Sequence, residues 1–222
     1  MKYDLKDIIY KIDVEDMREF LYVSLIHDED LLNRFRVEFS SYFLKLSKDD
    51  YEDKIITAIY SCMDKHGYID YESADSYEIA MLEYVSEAEK MVLSGDYDTA
   101  FIIASVILDS IPNTNIDDSN GSTGMVADEC IQVIKNVLDH LKSEDLLLKG
   151  ILDYVLEEVQ SLDLYNYGIH LYEMLEYFIQ KQLYLEEIKR AIQVSLKSNE
   201  DKFSYIKRKY IKYLEQMDIL NK

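Results

Sequence analysis

The chain has 222 residues and a formal charge of −20, with 1 proline, 6 glycines, 20 tyrosines and no tryptophan. So few turn-forming residues exclude the many tight turns of an all-β fold. The acidic balance disfavours non-specific attraction to a phosphate backbone, which needs a basic surface.

Asp13 is a predicted N-cap, followed by an acidic first turn at Glu15 and Asp16. Asp49, Asp50, Glu52 and Asp53 open the next helix, where carboxylates suit the positive dipole end better than they suit acid–base catalysis. That helix is expected to end at His66-Gly67. Ser94-Gly95-Asp96 ends one helix and caps another, in which Ala100, Ile103, Ala104, Ile107, Leu108 and Ile111 make one apolar stripe.

The segment NIDDSNGSTG, residues 115–124, separates this stripe from a second one running from Cys130 to Leu141. Ser143-Glu144-Asp145 caps a predicted helix over Leu146–Leu162. His170 lies in an apolar helix and is read as a polar core contact. Ile188, Ala191, Ile192 and Leu196 form a further stripe, as do Phe203, Ile206, Tyr210, Tyr213, Leu214 and Met217. The sum is an all-α fold of about nine or ten helices with short antiparallel links, expected as one domain over residues 1–222. SGDYDTA (94–100), with Pro112 after its helix, is similar to the second helix of a tetratricopeptide unit, so the pairs are expected to stack as a repeat-like, right-handed superhelical array. The preceding segment, Glu78–Leu93, fits that unit's pattern poorly.

Residues 66–134 carry two paired signatures: Gly67-Tyr68-Ile69-Asp70-Tyr71 before two helices, and Asp117-Asp118-Ser119-Asn120-Gly121-Ser122-Thr123-Gly124 after them. This stretch resembles the helical region that follows the zinc finger of bacterial SWIM zinc-finger proteins. The resemblance implies a helical fold without an established activity. The finger's CxC…CxH ligand set is absent, since only Cys62 and Cys130 occur. The resemblance therefore implies a C-terminal region of a longer protein, or a relative without the finger.

The 115–124 loop invites three readings. As a calcium EF-hand it fails: with Gly121 at position 6, position 1 falls on Ile116 and position 12 on Ala127, neither a ligand. As a phosphate cradle it lacks a lysine and carries carboxylates. Asp117, Asp118 and Asn120 leave a looser cation site open. The preferred reading is a structural loop, with Gly121 and Gly124 supplying unusual backbone angles and the polar side chains capping the next helix. Cys62 and His66 have metal-ligand spacing on one predicted helix, but they also continue the stripe of Ile55 and Ile59, and no second pair accompanies them.

Ten carboxylates face two lysines between Asp64 and Asp98. A non-catalytic scaffold binding a protein partner, one with a basic surface, is expected to use this region, with Tyr71, Tyr77, Tyr84, Asp75 and Glu78 as contacts. No cofactor and no metal are expected. The alternative is an accessory region of a nucleic-acid-binding protein that uses the basic helix from Lys207 to Lys212, although the charge makes nucleic acid an unfavourable partner for this chain alone. The charged start MKYDLKDIIYKID is no signal peptide. The two cysteines suit free thiols, and a cytoplasmic protein without membrane contact is expected.

Overall fold

The computed structural model describes residues 5–39, 46–161, 168–198 and 204–220. These residues are helical throughout apart from short links, an all-α fold. Their contacts divide into two compact units, Met1–Lys45 and Leu46–Lys222.

In the first unit lie α1 (Leu5–Ile9), α2 (Val14–His27) and α3 (Glu29–Glu38). The Asp13 carboxylate accepts the Glu15 N–H at 2.9 Å, as its N-cap role requires. Asp28 ends α2 in an extended conformation and caps α3 by accepting the Leu31 N–H at 2.9 Å. α2 packs on α3, yet no residue of α2 is buried.

The second unit begins with α4 (Lys48–Cys62), α5 (Tyr71–Ser94), α6 (Tyr97–Ser110) and α7 (Ser122–His140). It continues with α8 (Leu146–Ser161), α9 (Gly168–Gln180), α10 (Leu185–Ser198) and α11 (Ser204–Leu220). Ser47 and Asp50 form a reciprocal capping box at the start of α4. Gly95 takes a left-handed φ of +82° after α5, and Asp96 then caps α6 through Thr99.

Within α4 to α7 each helix touches the next and the next but one, and α8 to α11 repeat that pattern; α9 also reaches α7. α5 buries Ala74, Tyr77, Met81, Val85, Ala88 and Val92, a stripe at three- and four-residue spacing. α6 is wrapped on more than one side, since every residue from Ile103 to Leu108 is buried. The core runs on through Ile151, Val155, Met174, Phe178, Ile192, Tyr210 and Met217. Phe203 of the last predicted stripe lies outside the described residues, as do the side chains of Ile206 and His170.

One local expectation changes, and one turn has an unexpected backbone. α4 stops at Cys62 rather than at His66-Gly67. The Asp64 carboxylate accepts the His66 N–H at 2.8 Å and the Tyr68 N–H at 3.0 Å, giving the backbone a turn in place of another helical turn. The link between α9 and α10 holds no glycine, yet Gln182 and Tyr184 adopt φ of +56° and +54°. The turn is held by Leu183 N–H donating to the Phe178 carbonyl at 2.9 Å, with a Tyr184 ring edge-on to Phe178. No helix among the described residues is long and apolar enough to cross a membrane.

Candidate functional site

Asp70 starts α5 by accepting the Ser73 N–H at 2.9 Å, so Tyr71, Asp75 and Glu78 follow on its first turns. Just before that cap, Ile69 forms a lone parallel bridge with Ile116. The two segments quoted as paired signatures therefore lie side by side at one end of the α5–α6–α7 group.

The 115–124 loop is satisfied largely from within. Asp118 accepts the Thr123 N–H at 2.8 Å and the Thr123 hydroxyl at 2.6 Å, capping α7 from upstream of its first turn. Asp117 accepts the Ser119 N–H at 3.1 Å and also its hydroxyl. Asn120 accepts the Ser122 N–H at 3.2 Å and donates to Asp75 at 3.0 Å, while the Ser122 hydroxyl donates to Glu78 at 2.9 Å. The polar side chains of the loop thus point to separate donors, and no trio of His, Cys, Asp or Glu among the described residues is grouped to hold a metal ion. Gly121 needs its glycine, at φ +80°. Gly124 does not: it sits inside α7 with ordinary helical φ and open space where a Cβ would stand.

Among the expected contact residues, Tyr71 is 58% exposed and Asp75 is exposed. Tyr77 is 0% exposed and cannot touch a partner. It belongs to the stripe of Ala74 and Met81, whose spacing turns it into the core. Tyr84 is half-buried and its hydroxyl donates to the Lys54 carbonyl at 3.4 Å, tying α5 to α4. Burial and the neighbouring Glu87 and Glu83 push its phenol up. Tyr51 makes the companion tie through Glu87 at 2.8 Å. Glu78 is half-buried against Ser122.

What remains open to solvent is an acidic face with apolar side chains among the carboxylates. It carries Tyr71, Glu72, Asp75, Ile79 (62% exposed) and Glu83 on α5. Met125, Asp128 and Glu129 stand exposed on the neighbouring first turns of α7. The Asp75–Asn120 and Glu78–Ser122 bonds hold the two helices in register there.

A second feature escapes sequence reading. A cleft of about 260 Å³ opens between α4 and the end of α6, lined by Glu52, Ile56, Ile59, Tyr60, Val106 and Asp109 among others. Lys48 stands between its carboxylates, 3.6 Å from Glu52 and 3.7 Å from Asp109. The Tyr154 hydroxyl donates to Asp109 at 3.0 Å. Burial holds the Asp109 carboxyl above the ordinary range despite Tyr154 and Lys48, and Glu52 pushes the same way. Glu52 is legible as a helix-opening carboxylate, but nothing local says that Asp109 will come to rest beside it.

Of the pair with metal-ligand spacing, Cys62 is half-buried in α4 and donates to the Ala58 carbonyl at 3.5 Å, while His66 is exposed in the turn beyond the helix. They do not share a helix face. In α11, Arg208 and Lys212 are exposed and Lys207 and Lys209 half-buried, and the first three of this run, Lys207 to Lys209, already interact with neighbours. Lys202 lies outside the described residues. Compared with known families, with curated proteins and with solved structures, the chain finds no match in any of the three.

Proposed function

We propose that this chain is a non-catalytic helical scaffold that binds a protein partner with a basic surface, through the acidic face of α5 and the first turns of α7. The observation that carries the reading is Tyr71 and Ile79 standing exposed among Glu72, Asp75 and Glu83. Apolar anchors in a charged rim are the ordinary composition of a recognition patch. The recurring contact of each helix with the next and the next but one supports the further proposal of a repeat-like array. The reading also includes, from the resemblance, an origin as the helical region of a SWIM zinc-finger type protein acting in the cytoplasm.

A synthetic helical peptide with lysines on one face and leucines on the other tests the binding role. Binding should weaken from low to high salt, because the charges are exposed and screened. Tyr71→Ala and Ile79→Ser keep the net charge, and each should weaken binding by about 1 kcal/mol or more if these side chains are anchors. If both variants bind as the parent does, charge alone drives association and the patch is not a specific site. A gel-shift with single- and double-stranded DNA at low salt covers the alternative: retarded DNA, lost on Arg208→Ala with Lys212→Ala, would replace the proposal with nucleic-acid binding through α11.

A further inference from the structure

We propose that the cleft between α4 and α6 is a binding site for an aliphatic cation, an ammonium or guanidinium group carried on a short apolar stem. This is a different place from the α5–α7 face and does not depend on it.

The cleft has two chemically distinct parts. Its floor is apolar: Ile59 is buried, Val106 is buried, and Ile56 adds a partly exposed aliphatic wall. Its mouth carries Glu52 and Asp109, and the Tyr60 ring stands 66% exposed at the rim. A carboxylate pair above an apolar floor attracts a cation by charge and shelters an aliphatic stem. An anionic ligand would meet two like charges. A neutral apolar ligand would strip more water from Asp109 without compensating it.

The chain itself displays the preferred occupant. The Lys48 ammonium bridges Glu52 and Asp109, but at 3.6 and 3.7 Å it makes long ion pairs, and its side chain is half exposed to water. One ammonium shared by two carboxylates leaves the mouth with a net negative charge. Asp109 is anchored by the Tyr154 hydroxyl on one oxygen, and its other oxygen is the one 3.7 Å from Lys48. A divalent metal is a poor fit, since no third His, Cys, Asp or Glu among the described residues is grouped with this pair to complete a ligand set. A volume of about 260 Å³ admits a stem of a few carbons.

The same chemistry is offered by a free small amine and by a lysine or arginine side chain on a polypeptide. Backbone amide shifts of the isotope-labelled full chain would be followed during separate additions of 1,4-diaminobutane, a Gly-Gly-Lys-Gly-Gly peptide, and butyrate. A diamine that binds more tightly identifies a small-molecule site, and a peptide that binds more tightly identifies a side-chain anchor. Either cation should shift amides of Ile56, Val106, Asn113 and Thr114 saturably, and butyrate should not. Asp109→Asn, which keeps an acceptor for Tyr154, should weaken binding by about tenfold, the scale of one lost charge-assisted contact. Lys48→Ala should strengthen binding several-fold by removing the internal competitor. The proposal is overturned if butyrate shifts the same amides equally, if the cations shift only scattered acidic residues, or if Lys48→Ala leaves affinity unchanged or lowers it.

Discussion

Ile69 and Ile116 are joined backbone to backbone: the Ile69 N–H donates to the Asn115 carbonyl at 2.9 Å, and the Ile69 carbonyl accepts the Asp117 N–H at 2.8 Å. Ile69 is fully buried and Ile116 packs half-buried against the core. This clamp sets the starts of α5 and α7 at the same end, with α6 returning between them. The clamp depends on the loop that follows, and Asp118 is its strongest internal tie. Asp118→Ala removes an N-terminal cap and is expected to cost about 1–2 kcal/mol. That corresponds to a loss of roughly 2–8 °C in Tm for a unit of this size. Asn120→Ala removes an exposed bond to Asp75 and the longer bond from the Ser122 N–H, and should cost less than the loss of the Asp118 cap. Thermal melts that rank the two the other way would show that Asp118 is not the cap that matters.

The sign of an exchange to or from glycine should follow the backbone conformation at its position. Gly121→Ala forces a side chain into left-handed φ and should destabilise by about 1–2 kcal/mol. Gly150→Ala, in α8 with open space around the new Cβ, should stabilise by about 0.4–1 kcal/mol by reducing the freedom of the unfolded chain. Gln182→Gly relieves the left-handed residue at the end of α9 and should also stabilise, by up to ~1 kcal/mol. Urea denaturation of the three variants checks the signs; a stabilised Gly121→Ala would mean that the loop backbone is free to rearrange.

The helices were legible because their apolar stripes are long and their caps are chemical: Asp13 and Asp96 each accept the N–H their position demands. The early end of α4 was not legible, because Asp64 competes for the backbone through its side chain, and periodicity does not see such bonds. Tyr77 was misjudged although its stripe is in the sequence, since tyrosine suits both a surface and a core. Asp109 shows the limit more sharply. It ends an apolar stripe like any polar boundary residue, and only the packing of α4 and α8 on α6 brings Glu52, Lys48 and Tyr154 around it. Gln182 carries no turn signature at all.

The two cysteines should separate cleanly by reactivity. Cys130 is fully buried in α7, and burial together with Glu129 pushes its thiol up, so almost no thiolate forms in the folded protein. Cys62 is half-buried near the end of α4. A chromogenic disulfide reagent at pH 8 should therefore titrate one thiol readily. The second should react only through global opening, at least ~10³-fold more slowly. Equal rates would mean that the α5–α7 core opens far more often than its packing implies.

Acid should erode the caps in a defined window. Asp50 is held below the ordinary carboxylate range by the Ser47 hydroxyl and then the Ser47 N–H, and Asp70 by the Ser73 hydroxyl and then the Ser73 N–H. A carboxylate whose folded pKa is depressed lends stability that is fully present above its unfolded value and lost as pH falls through the folded one. Asp109 works in the opposite sense: its raised folded pKa means that protonation on acidification relieves a cost of burial. Asp70→Ala should thus lower the urea midpoint at pH 7, with the gap to the parent chain closing below about pH 4. Asp109→Asn should raise or preserve the midpoint at pH 7, and that advantage should shrink in acid. The measurement is a series of urea titrations between pH 7 and pH 3. An Asp70→Ala gap that stays constant over this range would show that the cap acts through packing and not through its charge.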